Sequence, residues 1–275
     1  MRLLFVHKNR SPENVVITFA LVILMIYLVN FLLSDTMGWV RYTIIQVGQF
    51  IKVLSPTLYR CFKNIRQAHV LKRFESEAQR DTNALHVASG WGYLSEEQYN
   101  SIVDHVLGQI PIRDGDSIFE LGCGVGAVLQ RIRYVCGTNI SLGGSDFSEQ
   151  AIKKIRNVFP KEGHNFYVVA MTQKNDFLPD NSQDHVVSFG AFAMYLYEDE
   201  MEIALQEAIR ITKPGGHMCF THFTEPRGKF MGSILEPIEK SHWSRIVKKY
   251  SLENLRVIQL LHQMDRYFVC FSKGH

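Results

Sequence analysis

Hydrophobic and polar positions follow two different patterns along this chain, and the change between them comes near residue 84. Residues 15–33 (VVITFALVILMIYLVNFLL) contain no charged side chain, and a helix of this length is just long enough to cross a bilayer core. A signal peptide is the rival interpretation, but its apolar region is shorter and a small-residue cleavage site follows it, which residues 34–37 do not offer. The pattern therefore predicts an uncleaved transmembrane helix at 15–33, preceded by a basic N-terminal tail at 1–14.

A second apolar stretch covers residues 39–59, and polar side chains interrupt it at a regular spacing. These polar residues are Thr43, Gln46, Gln49 and Lys52. The spacing is typical of an amphipathic helix in the membrane interface, ended near Pro56. The returning limb of a helical hairpin is the alternative, but Arg41 and Lys52 would make a true span costly. We expect residues 37–80 to form an interfacial or juxtamembrane helical linker.

From residue 84 onward, short β-rich runs alternate with helical segments, which predicts an α/β domain over residues 84–275. The predicted strands are 117–121, 140–145, 165–170, 185–189, 216–222, 255–261 and 267–272. The predicted helices are 96–107, 125–135, 149–158, 201–211 and 235–250. Helical crossovers make consecutive strands parallel, whereas the few residues between the last two strands allow only a hairpin. The expected fold is a Rossmann-like, mostly parallel sheet of seven strands with an antiparallel C-terminal hairpin edge.

The first predicted strand runs into a glycine-rich turn, since residues 119–128 read FELGCGVGAV. Gly122, Gly124 and Gly126 lack Cβ atoms and let a ligand lie directly on the main chain. The helix that follows directs its free N–H groups and its dipole at negative charge. Nicotinamide and flavin proteins have similar turns, and Gly122-x-Gly124-x-x-Ala127 satisfies their fingerprint as well. The turn alone does not decide between ligands.

Two acidic residues change this picture. Glu120 lies near the end of the first predicted strand, two residues before Gly122, where it would repel a pyrophosphate but suit a cationic ligand such as an amine or a sulfonium. Asp146 ends the second predicted strand, where a carboxylate can accept both hydroxyls of a ribose. The alternative role for Asp146 is the N-cap of the helix at 149–158, which Ser148 can take instead. Together they favour a cationic nucleoside over a dinucleotide.

Composition narrows the classes of function. The net charge is +3 with basic residues spread out, so we expect no nucleic-acid partner. The five cysteines show neither CxxC nor Cys/His spacing, which argues against a metal site and against a disulfide framework, and fits a reducing compartment. They are Cys61, Cys123, Cys136, Cys219 and Cys270.

The motifs in residues 89–272 together resemble class I S-adenosylmethionine-dependent methyltransferases. The resemblance rests on FELGCGVG, on Asp146, on FLPDNSQDHVVSFGAF and on EAIRITKPGGHMCF, in this order and spacing. It implies S-adenosyl-L-methionine as the cofactor. The predicted membrane segment lies outside the resemblance.

The resemblance also implies roles for particular residues. The three glycines would line the methionine and ribose portion of the cofactor, and Glu120 would orient its amino group. Asp146 would hold the ribose hydroxyls. The adenine would lie between Phe147 and the pair Ala170 and Met171, while Phe189 and Gly190 would face the transferred methyl. An Asp near Met171 often contacts the adenine amine in this family, but the nearest one here is Asp176, which puts that contact in doubt.

Methyl transfer to an activated carbon needs positioning more than it needs catalytic side chains. His222 is a candidate base and Tyr195 a candidate lining residue of the acceptor pocket, although a turn histidine and a core aromatic residue are the competing interpretations. Tyr93 is a candidate lid residue. The membrane segment favours a small-molecule or lipid acceptor. A protein methyltransferase and a noncatalytic cofactor-binding scaffold are the alternatives.

The charges flanking the predicted span give conflicting indications of orientation. Arg2, Lys8 and Arg10 precede it, which places the C-terminal domain on the side away from the cytosol. The basic cluster at 60–73 instead suits a helix against anionic cytoplasmic lipid, or a plain solvated face. A sequon at Asn139 would be glycosylated only in a lumenal location. Because S-adenosylmethionine is made in the cytosol, the sequence analysis favours a membrane protein with a cytosolic catalytic domain.

Overall fold

The computed structural model describes residues 84–192, 196, 198–223, 240–260 and 266–275, together with Lys72, Glu75 and Ser76. The chain divides into two units, Met1–Tyr59 and Arg60–His275, and every described residue lies in the second. The predicted tail at 1–14, the predicted transmembrane helix at 15–33 and nearly all of the predicted linker at 37–80 lie outside the described residues. Within the described ranges, no helix is long and apolar enough to span a bilayer.

Seven strands form one sheet. They are β1 (Ser117–Leu121), β2 (Ser141–Asp146), β3 (Phe166–Val168), β4 (Gln183–Ser188), β5 (Thr212–Phe223), β6 (Leu252–Gln259) and β7 (Arg266–Lys273). Their order across the sheet is β3-β2-β1-β4-β5-β7-β6. The pairs among β1 to β5 are parallel, and β7 pairs antiparallel with both β5 and β6. The predicted Rossmann-like sheet with an antiparallel C-terminal edge is therefore confirmed.

All strands except β1 differ by one to four residues from their predicted bounds, and two of these differences have local reasons. β3 ends at Val168 because the next N–H, that of Val169, donates to the main-chain oxygens of Asp146 and Tyr167 as the chain turns away. β5 begins at Thr212, four residues before the prediction. A register shift on β4 between Gln183 and His185 accommodates the Pro214-Gly215 segment within β5.

Five α-helices lie among the described residues. They are α1 (Glu96–Leu107), α2 (Ala127–Cys136), α3 (Glu149–Val158), α4 (Glu198–Ile211) and α5 (Lys240–Lys249). Helix α1 begins at a capping box, in which Ser95 Oγ accepts from Gln98 N and Gln98 Oε1 accepts from Ser95 N. Ser148 caps α3, since its Oγ accepts a hydrogen bond from Ala151 N. Asp146 is thereby left available for another role.

Both faces of the sheet are buried. Ile118 belongs to a core that it shares with Val103, Leu129 and Ile152 of helices α1 to α3. The next residue, Phe119, belongs to a second core with residues of α4 and α5. This alternation follows from the two-residue period of a strand. Because helices cover both faces, the carboxyl ends of the parallel strands are where a ligand can reach the sheet.

The structure corrects the expectation drawn from the cysteines. Cys219 of β5 and Cys270 of β7 lie directly opposite one another and form a disulfide. Fifty-one residues separate them in the sequence, so only the antiparallel register brings them together. Cys123 and Cys136 are free thiols. The prediction that the cysteines form no disulfide is wrong for this pair.

Candidate functional site

The glycine turn connects β1 to α2, and its glycines have different surroundings. Gly126 has φ +88°, and a Cβ added there would lie 2.7 Å from the Ile155 side chain, so this residue is required for packing. Gly124 has φ +51°, and an added Cβ would meet nothing nearer than Ser89 Oγ at 3.8 Å. The main chain at Gly124 therefore borders open space, where a ligand can approach it closely.

Asp146 ties the end of β2 to this turn. Its Oδ2 accepts a hydrogen bond from Gly124 N at 2.9 Å, and its Oδ1 accepts one from Ser148 N at 2.9 Å. Burial raises the pKa of Asp146 to about 6, although these backbone hydrogen bonds oppose the rise. Each carboxylate oxygen retains a lone pair, so Asp146 can still accept hydroxyl hydrogens from a ligand.

Glu120 is only partly satisfied in its hydrogen bonds. Its side chain is buried, and its Oε2 has no hydrogen-bond partner among the described residues. Burial and the neighbouring Asp146 hold the pKa of Glu120 well above its ordinary value, while a hydrogen bond from Phe189 N opposes this. A buried carboxyl group with a free oxygen suits a cationic or hydrogen-donating ligand and disfavours a phosphate.

Two hydroxyl groups that the sequence analysis missed belong to the same region. Ser89 Oγ is the atom nearest to the position that a Cβ at Gly124 would occupy. Burial, and then the negative charge of the nearby Glu120, raise the pKa of the Tyr99 phenol well above its ordinary value. Both hydroxyl groups are buried without a hydrogen-bond partner in the described part of the chain. Tyr99 could be read only as a buried helix position, because its proximity to Glu120 depends on how α1 packs.

The other predicted cofactor residues lie at the expected strand ends. Met171 is buried, and its Cε would lie 2.6 Å from a Cβ added at Gly122, so it packs against the glycine turn. Phe147 and Ala170 are half-buried after β2 and β3. Phe189 is buried directly after β4.

The structure does not assign the remaining candidates to the site. Asp176 has an 82% exposed side chain that pairs with Lys174, so the doubt about an adenine contact stands. Tyr93 is 46% exposed and stacks on Trp91. Tyr195 lies outside the described residues, and so does the side chain of His222, whose main chain pairs with Tyr267. Neither has a role that the structure can assign.

Hydrogen bonds from neighbouring elements fix the chain segments that follow β3 and β4. Gly190 N donates to Thr221 Oγ1 at 2.5 Å, which fixes the chain after β4 against β5. Arg210 of α4 donates to the main-chain oxygens of Asn175 and Leu178 at 3.1 and 2.8 Å. The second contact anchors the loop that carries Met171. Neither contact could be predicted from a local sequence pattern.

Known proteins show similarity to this region. Residues 118–216, from β1 into β5, match the family described as a methyltransferase domain. This region is therefore similar to methyltransferase domains, in agreement with the resemblance that its motifs show. The cofactor of the methyltransferase domain is S-adenosylmethionine, as predicted. The orphaned oxygen of Glu120 and the open main chain at Gly124 fit that cationic nucleoside. The individual residue assignments stay predictions.

Two curated relatives and one solved structure illustrate the similarity. The chain is 28% identical over 179 residues to a phosphoethanolamine N-methyltransferase of Triticum aestivum, covering 57% of this chain and 33% of that protein. It is 33% identical over 113 residues to the tRNA N(3)-methylcytidine methyltransferase Mettl2 of Drosophila melanogaster, covering 39% and 34%. The chain thus spans about a third of the length of these two relatives.

The solved structure is similar in fold alone. It is a chain from the complex between the Haloferax volcanii Trm112 methyltransferase activator and a methyltransferase. The TM-score is 0.59 at 17% identity, covering 74% of this chain and 98% of that chain.

Proposed function

We propose that this chain is a membrane-tethered S-adenosylmethionine-dependent methyltransferase that acts on a small-molecule or lipid acceptor. The observation that carries the proposal is the buried Glu120 carboxyl group with an unpartnered oxygen, beside main chain that is open at Gly124. A pyrophosphate would be repelled there, whereas the ammonium and sulfonium charges of S-adenosylmethionine offset the burial of the acid.

The chain's own residues serve binding and orientation in this proposal. The sulfonium of the bound cofactor supplies an activated methyl group. Glu120 orients the amino group, Asp146 accepts the ribose hydroxyls, and both are held by main-chain N–H groups. Thr221 holds Gly190 in place where the methyl would face the acceptor. Orientation of the two reactants can accelerate methyl transfer without a dedicated base.

The acceptor is proposed on two grounds. The similar wheat protein is named for a small phosphorylated amine. The predicted span at 15–33 would keep the active site near a membrane, which favours an acceptor that is membrane-bound or released there. A tRNA methyltransferase is also similar over a shorter stretch, so the expected absence of a nucleic-acid partner stays a prediction.

Calorimetry on the full chain in detergent tests the cofactor site. We expect S-adenosylmethionine to bind and NADH to give no signal. Asp146→Asn and Asp146→Ala should weaken the affinity at least about tenfold, which corresponds to about 1.4 kcal/mol. The matched control is Asp176→Ala, which removes an exposed carboxylate and should leave the affinity within about twofold. NADH binding without S-adenosylmethionine binding would refute the proposal.

Turnover is tested separately with radiolabelled cofactor. The full chain is incubated with membrane extracts, soluble metabolites, proteins and RNA as separate fractions. Label transferred to small molecules or lipids supports the proposed acceptor. Label in protein or RNA supports the alternative acceptors, and binding without transfer to any fraction supports a noncatalytic scaffold.

A further inference from the structure

The disulfide and a surface sequon bear on where the methyltransferase domain resides. Cys219 and Cys270 are each 1% exposed, and they face one another across the central register of β5 and β7. Because the register already places them in contact, the bond forms without rearrangement of the strands. Disulfides of this structural kind persist in oxidising compartments and are rare in the cytosol.

The sequon Asn139-Ile140-Ser141 lies in the loop between α2 and β2. Asn139 and Ser141 are exposed, while Ile140 is buried and fixes the loop to the core. The main-chain oxygen of Asn139 accepts a hydrogen bond from Gly115 N, which holds the loop against the chain that precedes β1. An Asn-x-Ser sequence on an exposed loop is an acceptor for N-linked glycosylation.

The position of the sequon is compatible with activity. Strand β2 begins at Ser141 and ends at Asp146, which places the sequon about 16 Å from the cofactor end of the strand. A glycan at Asn139 would therefore project from the opposite end of the sheet. It would leave the glycine turn accessible.

The charges that precede the predicted span agree with this side of the membrane, whereas the basic cluster at 60–73 opposes it. Arg2, Lys8 and Arg10 precede residues 15–33, and the positive-inside rule keeps such a tail in the cytosol. The domain after the span then lies across the membrane. The cytosolic expectation rested on the site of cofactor synthesis, and a lumenal domain requires a carrier that delivers S-adenosylmethionine to it.

We infer that the methyltransferase domain faces the oxidising lumen of the secretory pathway, where the Cys219–Cys270 disulfide forms and Asn139 carries an N-linked glycan. In the first reaction the two thiols lose two protons and two electrons to a lumenal enzyme disulfide, which is reduced to a dithiol. In the second, the Asn139 amide nitrogen forms a bond to the anomeric carbon of a lipid-linked oligosaccharide. The lipid diphosphate leaves and the amide loses one proton.

Glycosylation is tested on the full chain with a C-terminal tag in eukaryotic cells. We expect peptide N-glycosidase F to increase the electrophoretic mobility of the chain by one glycan. Asn139→Gln and Ser141→Ala should abolish this shift, whereas Ser141→Thr preserves the sequon and should retain it. Asn9 begins a second Asn-x-Ser sequence on the other side of the predicted span, so Asn9→Gln should change nothing.

The redox state and the side of the membrane are read from the same cells. Cells are lysed in denaturant that contains an alkylating reagent, because Cys123, Cys219 and Cys270 are buried in the folded domain, and non-reduced peptides are analysed by mass spectrometry. We expect Cys219 and Cys270 in one linked peptide and Cys123 alkylated. Protease added to sealed microsomes should leave the C-terminal tag intact. A digested tag, an unmodified Asn139 peptide or alkylated Cys219 and Cys270 would overturn the inference. None of these results depends on whether the domain transfers a methyl group.

Discussion

At the scale of single residues, two glycines of the turn have different roles: Gly126 is needed for packing, whereas Gly124 leaves room for a ligand. Gly126 leaves no space for a side chain because Ile155 packs against it, whereas Gly124 borders open space. Both have positive φ, so both disfavour any other residue. Their difference is therefore spatial, and it predicts which glycine a ligand would touch.

Alanine substitutions should separate these two effects. Gly124→Ala should lower the free energy of unfolding by about 1–2 kcal/mol through backbone strain, and it should also weaken S-adenosylmethionine binding about tenfold or more. Gly126→Ala should cost about 1–3 kcal/mol more stability than Gly124→Ala, because its methyl group meets Ile155. Urea unfolding and calorimetry measure the two quantities. Equal stabilities for the two variants would contradict the packing argument.

At the scale of elements, helix α4 anchors the loop between β3 and β4. Arg210 donates to Glu207 and Asp180 as well as to two loop carbonyl groups. The side chain of Glu207 is 7% exposed, and it also accepts a hydrogen bond from Asn175 N. The two carboxylates raise the pKa of the Arg210 guanidinium further above its ordinary value. The loop is thereby held by a charged pair that is largely withdrawn from water.

Removing Arg210 should leave Glu207 as a buried unpaired charge. We expect Arg210→Ala to lower the free energy of unfolding by about 3–5 kcal/mol. The double variant Arg210→Ala with Glu207→Gln should recover part of this loss, since the amide that replaces the carboxylate is neutral. Urea denaturation of both variants checks the coupling. Additive losses in the double variant would show that the two residues act independently.

At the scale of the whole molecule, the two ends of the sheet have opposite responses to pH. At the cofactor end, burial raises the pKa of Asp146 to about 6, so its contribution to stability is lost as pH rises through about 6. Burial also raises the pKa of Glu120 well above its ordinary value, and its contribution is likewise lost as pH rises through that raised pKa. At the other end, burial lowers the pKa of His185 and His217, so stability is lost as pH falls below 6.5. The charged groups that influence this second pair are Arg113, Asp116, Asp184, Lys213 and Arg256.

The cofactor should oppose only the first of these effects. We expect S-adenosylmethionine to raise the melting temperature more at about pH 7.5 than at about pH 5.5, because its positive charges stabilise the ionised acids. His217→Gln should reduce the loss of stability on acidification and leave the cofactor-induced gain unchanged. Differential scanning fluorimetry across this pH range measures both. A cofactor gain that is greatest at acidic pH would contradict the proposed charge pairing.

The sequence by itself determined the fold class, the order of helices and strands, the antiparallel edge and the cofactor. The fold features depend on the local periodicity of hydrophobic residues. The cofactor prediction depends on the glycine turn, on Glu120 in the same short stretch and on Asp146 at the end of a predicted strand. Only the tertiary structure decided that Ser89 lies near Gly124 and Tyr99 near Glu120, that Arg210 anchors a distant loop and that Cys219 faces Cys270. Such contacts join residues far apart in the chain, so they depend on helix packing and strand register, which no local pattern encodes.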